Sequence, residues 1–172
     1  MSDHLLAELT AFSNALAQSE GQPRAAYAAM HKLTDAVLGA KLFTILLIDQ
    51  EAGVMRRLYS SDHVIYPEGG VDPIGDTIWE RTIIGEKKPL VNWDYEELKT
   101  LLPEHATLRA LGLGAMLNLP IVVNGKTVGT LNILHEDGHY TPERLIQAEA
   151  IKPAAATVLL LGLLEAKNAA RA

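Results

Sequence analysis

One stretch of this chain leaves few folds open. Residues 112–137 read G-L-G-A-M-L-N-L-P-I-V-V-N-G-K-T-V-G-T-L-N-I-L-H-E-D. Two apolar runs flank Asn124-Gly125, a pair that tolerates positive φ at both central positions of a tight primed turn. The flanks are rich in Val, Ile, Leu and Thr, as paired strands require. A two-residue turn predicts that Val123 opposes Lys126, Ile121 opposes Val128 and Pro120 opposes Gly129. In that register one face carries Leu117, Leu119, Ile121, Val128, Thr130, Asn132 and Leu134. The other carries Met116, Asn118, Pro120, Val122, Leu131, Ile133 and His135. A single β-bulge would move Asn118, Asn132 and His135 between faces. Both faces are mainly apolar, so both are expected to be covered. With an Asn on each, there is room for a core on one side and a ligand on the other.

The rest of the chain supplies the covering elements. Residues 3–19 read as an amphipathic helix, with Leu5, Leu6, Leu9, Phe12, Leu16 and Ala17 near helical spacing. Gly21-Gln22-Pro23 breaks it. A second helix then carries Ala26, Tyr27, Met30, Leu33, Thr34 and Val37 along one side and ends at Gly39. Residues 42–49 and 54–60 form a hairpin around Glu51-Ala52-Gly53, expected to lie centrally in the sheet. Residues 61–72 form a polar, aromatic loop holding Asp62, His63 and Tyr66. Thr77-Ile78-Trp79-Glu80 has the form of a capping box, so a helix starts there and ends near Gly85. Its free N–H groups offer a place for a carboxylate, nitrate or phosphate. Residues 89–92 make a short strand and residues 107–111 a short helix. Thr141-Pro142 opens the last helix, which runs to about residue 168 with a kink at Pro153. Residues 158–164 are apolar on all sides, so this helix is expected to be buried on several sides.

Composition removes several classes of function. Fifteen Lys+Arg against 21 Asp+Glu give a net charge of -6. No basic tract stands out, so no nucleic-acid partner is expected. The absence of Cys excludes disulfides, thiol catalysis and thiolate metal sites. The start, Met-Ser-Asp-His, lacks a secretory pattern, and the apolar run 154–164 is too short to span a bilayer. A cytoplasmic protein with no membrane partner is the expectation.

The hairpin, followed by a polar break and Y-T-P-E-R-L, resembles the C-terminal half of a GAF domain. L-G-A-K-L-F-T-I-L-L-I-D-Q-E-A-G-V-M-R-R-L and P-I-G-D-T-I-W-E-R-T-I-I-G-E-K-K-P-L-V-N-W-D resemble that family's first hairpin and pocket helix, in the same order. The resemblance implies an α+β fold with a GAF/PAS-like central antiparallel sheet and helices on both faces. The N- and C-terminal helices would form a bundle. The chain is read as one GAF domain over residues 1–172, with its core at about 22–168 and an N-terminal helix over 1–20. It further implies a ligand pocket between one sheet face and the segments that cross it. The lining would come from Phe43, Ile45 or Leu47, then Tyr59, His63 and Tyr66, and Ile78 and Trp79. Asn92, Trp93 and Asp94 follow, with Asn132 and His135, and Asn118 as a further candidate, from the central hairpin. Aromatic faces would stack and Asn amides would orient polar atoms.

Within that family, free methionine sulfoxide reductases use catalytic cysteines, and bilin attachment also needs Cys; both are excluded here. Met116, Asn132 and Leu134 stand where those reductases hold substrate with acidic side chains. Asn92-Trp93-Asp94 is only a fragment of the cyclic-nucleotide signature. Among the six His, only His135 and His139 are closely spaced, beside Glu136 and Asp137. They fall where a strand leaves the sheet rather than on a helix, so no metal site is predicted, and no cofactor is assigned. The leading reading is a small-molecule sensor acting through a homodimer or a partner signalling protein. One rival is a small enzyme using Asp62, His63, Asp94 or His135 as acid or base. Another is a dimerisation module whose pocket is filled by Trp79 and Trp93.

Overall fold

The computed structural model describes residues 3–169 and 171; Met1 and Ser2, which begin the segment read above as lacking a leader, lie outside it. The central hairpin pairs β5 (Ala115–Val123) with β6 (Lys126–His135). Asn124 and Gly125 both have positive φ, 48° and 73°, and Val123 faces Lys126. Val122 still faces Thr127, and beyond that pair the register departs from expectation. Ile121 pairs with Gly129 and Pro120 with Thr130, so Val128 is an extra residue in a β-bulge. The bulge shifts β6 by one position against β5 and brings Asn118 opposite Asn132. Without it, Asn118 would face Leu131, since a two-residue turn joins residues whose numbers keep one sum.

β1 (Leu42–Asp49) pairs with β6 on one side and with β2 (Val54–Ser60) on the other. A second bulge sits here. Ile45 pairs with Tyr59 but Leu46 with Arg57, leaving Leu58 over. The short strands β3 (Val71–Pro73) and β4 (Leu90–Asn92) complete an antiparallel sheet of order β3-β2-β1-β6-β5-β4. The first hairpin therefore shares the centre with the second, β1 lying against β6.

One sheet face is covered by α2 (Arg24–Leu38) and α7 (Lys152–Ala169), and α1 (Asp3–Leu16) packs on α2. The main core lies there. Phe43, Ile45, Leu47, Leu117, Leu119, Ile121, Leu131 and Ile133 meet Met30 and Leu33 of α2 and Val158 and Leu159 of α7. Each such buried side chain stabilises the fold by about 1.5–3 kcal/mol relative to exposure. Gly129 lets α7 approach: a Cβ there would stand 2.4 Å from Leu159 and from the Leu46 carbonyl oxygen. The helices form a bundle in which α2 touches both α1 and α7.

α6 (Pro142–Ala148) joins α7 through a tight turn at Glu149–Ile151, just before Pro153. This is how the expected kink is made. By length and composition, Pro142–Ala169 would suffice to cross a membrane. Here Ala154, Ala155, Val158, Leu159 and Gly162 are spent on the sheet. Within one chain α7 is buried on one side, and Leu160 and Leu164 are exposed on the other.

The other face carries α3 (Ile78–Glu80), α4 (Tyr95–Leu98) and α5 (His105–Ala110). α3 runs into a wider π-helical segment, Arg81–Glu86, closed by Lys87 N–H donating to the Thr82 carbonyl. A smaller apolar cluster packs here, with Leu42, Met116 and Leu134 against Leu98, Leu108 and Leu113.

Candidate ligand-binding cavity

Between this second face and the segments that cross it lies a cavity of about 230 Å³. Thr44 and Leu46 of β1, Met116 and Asn118 of β5, and Asn132 and Leu134 of β6 make its floor. The walls are Met55 and Arg57 of β2, Tyr66, Asp72, Trp79, Glu80, Leu102 and Glu104. Both bulges serve it. The one at Val128 puts Asn132 beside Asn118, and the one at Leu58 turns Arg57 and Met55 to the face of Leu46 and Ile48. Bulges re-aim side chains in this way beside functional sites.

A polar chain crosses the floor. Trp79 Nε1 donates to Asn118 Oδ1 at 2.9 Å, and Asn118 Nδ2 donates to Asn132 Oδ1 at 3.1 Å. Asn132 Nδ2 donates to Thr44 Oγ1 at 3.1 Å, while Thr130 Oγ1 donates to Asn132 Oδ1 at 2.8 Å. The indole N–H can only donate, which fixes the orientation of both amides in turn. Each amide keeps a second N–H, and the Thr44 hydroxyl, having accepted, keeps its proton to give. The floor is thus biased toward donors.

The rim carries charge. Arg57 lies over the Tyr66 ring at 4.9 Å. Its Nε is buried without a hydrogen-bond partner, and its Nη1 reaches the Pro67 carbonyl only at 3.5 Å. Tyr66 donates to Glu104 at 2.6 Å. Burial, aided by that bond, pushes the phenol pKa above its ordinary value. Glu80 closes the capping box: Thr77 accepts from Trp79 N–H, and Glu80 accepts from the Thr77 and Gly75 N–H groups. The helix start proposed for an anion is therefore filled by the chain's own carboxylate.

Tyr66, Trp79, Asn118 and Asn132 are brought together; the other sequence candidates are not. Phe43, Ile45, Leu47 and Tyr59 lie on the opposite face, in the main core. β1 is apolar on both sides, and the odd-numbered positions are those under α2 and α7. Ile78 is exposed, and His63 sits half-exposed 3.9 Å from Glu68. Asp94 caps α4 by accepting from Glu97 N–H. Asn92 is buried outside the lining, its Oδ1 unpartnered, and Trp93 packs on the main core. His135 pairs with Ala115 on the core face and stacks on His139. Sequence reasoning missed Thr44, Arg57 and Glu104. Thr44 was the one legible signal, as a single polar residue inside an apolar strand.

The GAF domain family model matches residues 24–159. The chain belongs to the GAF domain family. Among curated proteins no sequence match is found. Solved GAF structures superpose well. That of a phosphoenolpyruvate-protein phosphotransferase from Coxiella burnetii gives a TM-score of 0.66 at 17% identity, covering 96% of this chain and 97% of that one. The corresponding Acinetobacter domain gives 0.68 at 12% identity, covering 93% and 95%. The GAF domain of a two-component sensor histidine kinase from Bacillus halodurans gives 0.61 at 16%, covering 81% and 95%. At such identities the likeness shows the fold. GAF domains are sensor and regulatory domains of signalling proteins, and the cavity above lies on the face of this GAF sheet opposite its main core.

Proposed function

We propose that this GAF domain is a small-molecule sensor whose ligand sits on the Trp79–Asn118–Asn132–Thr44 floor. That floor is the observation that carries the reading: a line of oriented amides facing open space has donors left for a ligand. The cavity is below the ~300–1,000 Å³ of drug-sized sites, so the ligand is a small polar or aromatic metabolite. Its acceptor or anionic group meets the amides and Arg57. Asp72 and Glu104 at the rim favour a donor at its outer end. Trp79 and Tyr66 supply ring faces. Trp79 lines the cavity without filling it, which speaks against a purely structural module. None of Asp62, His63, Asp94 and His135 lines it, which leaves the acid–base reading without its named residues.

Output passes through the exposed apolar side of α7 to a second copy or to a partner signalling protein, in the cytoplasm. A ligand shifts such a contact only by its differential affinity for two arrangements. The test is a native mass spectrum of freshly purified protein against its denatured spectrum, repeated after incubation with a metabolite extract. A retained mass is expected in the wild type and its loss in Asn118→Leu. That variant also leaves the Trp79 N–H unpaired, costing about 1–3 kcal/mol. A wild type that stays bare and gains no thermal stability from the extract would sink the reading.

A further inference from the structure

Where β6 leaves the sheet, a second cluster stands apart from the cavity. His135, Glu136 and His139 each offer one ligand atom such that the three lie within 4.8 Å of one another. The two imidazoles are stacked, with ring centroids 3.4 Å apart and planes 14° from parallel. His139 Nε2 lies 2.8 Å from the Leu38 carbonyl oxygen. A carbonyl only accepts, so Nε2 carries the proton and Nδ1 of the neutral ring keeps its lone pair. A backbone carbonyl holding the far N–H is the arrangement that orients metal-ligating histidines. Arg144 donates to the same carbonyl at 2.9 Å, fixing it in place. His135 Nδ1 is buried and has no hydrogen-bond partner.

We propose that His135, Glu136 and His139 form a binding site for a late first-row divalent cation, with Zn²⁺ as the type ion. Two imidazole nitrogens and one carboxylate oxygen are a ligand set such ions accept, with a further position left to water. Bonds of about 2.0–2.1 Å bring tetrahedral ligands to within about 3.4 Å of each other. The set closes to this by rotation of the exposed Glu136 and a tilt of one ring out of the stack. Glu136 is held by Lys41 at 2.6 Å, and both side chains are largely exposed. The cation therefore competes with the Lys41 ammonium for the carboxylate.

That competition gives the site a signature. Zn²⁺ is titrated into the full chain near neutral pH by calorimetry, and Co²⁺ absorption reports the ligand field. One equivalent is expected to bind, at least about tenfold more weakly in Glu136→Gln, since even an outer-shell partner is worth about 10–100-fold. Lys41→Ala is expected to tighten binding several-fold by freeing the carboxylate. Both substitutions lie at the surface, so folding is not at stake. No saturable binding of one equivalent to the wild type overturns the proposal. So does binding that is unchanged in Glu136→Gln, or that persists in the His135→Gln, His139→Gln double variant.

Discussion

His31 shows how a single ring couples burial to pH. It lies parallel to Phe43, with centroids 5.0 Å apart, and its Nδ1 is 3.3 Å from the Tyr59 hydroxyl. Burial holds its pKa below the ordinary imidazole value, with Asp35 pulling part-way back. The folded state thus binds the proton later than the unfolded chain. The stability linked to this ring is present above the unfolded pKa of about 6.5 and is lost as pH falls below it. The melting temperature is expected to drop between about pH 7.5 and pH 5.5, and to drop less in His31→Gln. An equal drop in both would remove His31 as a source. At this scale the sequence was legible where a residue is polar in an apolar strand, or aromatic beside a helix start, as with Asn118, Asn132 and Trp79. It was not legible for Arg57, because nothing in the run V-M-R-R-L-Y-S tells which Arg a bulge will turn inward.

Strands and helices raise a different question, of how closely they may approach. Gly129 and Gly162 both sit where α7 meets the sheet. A Cβ on Gly129 would stand 2.4 Å from a backbone carbonyl oxygen, whereas one on Gly162 would stand 2.5 Å from the end of the Leu58 side chain and 3.0 Å from the Tyr27 hydroxyl. Gly129→Ala is therefore expected to destabilise by about 1–3 kcal/mol. Gly162→Ala is expected to come out milder, because Leu58 can turn aside and helix propensity returns up to about 1 kcal/mol. Urea unfolding of the two variants checks the order. The elements themselves were largely legible: the Asn-Gly turn, the capping box at Thr77, the Thr141-Pro142 helix start and the break before Pro153. β3 was missed because a three-residue edge strand carries no period. A bulge in the central hairpin was foreseen as able to move Asn118 and Asn132 between faces, but neither bulge could be located, because a bulge depends on how two strands twist together, which neither strand's pattern records.

For the whole molecule, the unmatched feature is the outer side of α7. Leu160 and Leu164 are 45% and 55% exposed, as is Leu6 of α1 at 53%. If this side is the dimer contact proposed above, Leu160→Glu with Leu164→Glu yields a monomer. Sedimentation of both proteins at equal concentration decides it, and a monomeric wild type sends the output to a different partner. The α+β architecture was legible because several segments agreed in order. The ligand-bearing face was not, because both faces of β1 are apolar.

The pairing of β1 with β6 has a consequence for how the protein is made. Leu42 finds its partner Leu134 only after all the intervening chain has been synthesised, which takes about 5–20 s at ribosomal rates. Meanwhile the β1 edge, L-F-T-I-L-L-I-D, waits without its neighbour, an open template for other nascent chains. Arrested translation products ending before β6 should accordingly be captured by chaperones or aggregate, whereas those extending past α7 should not.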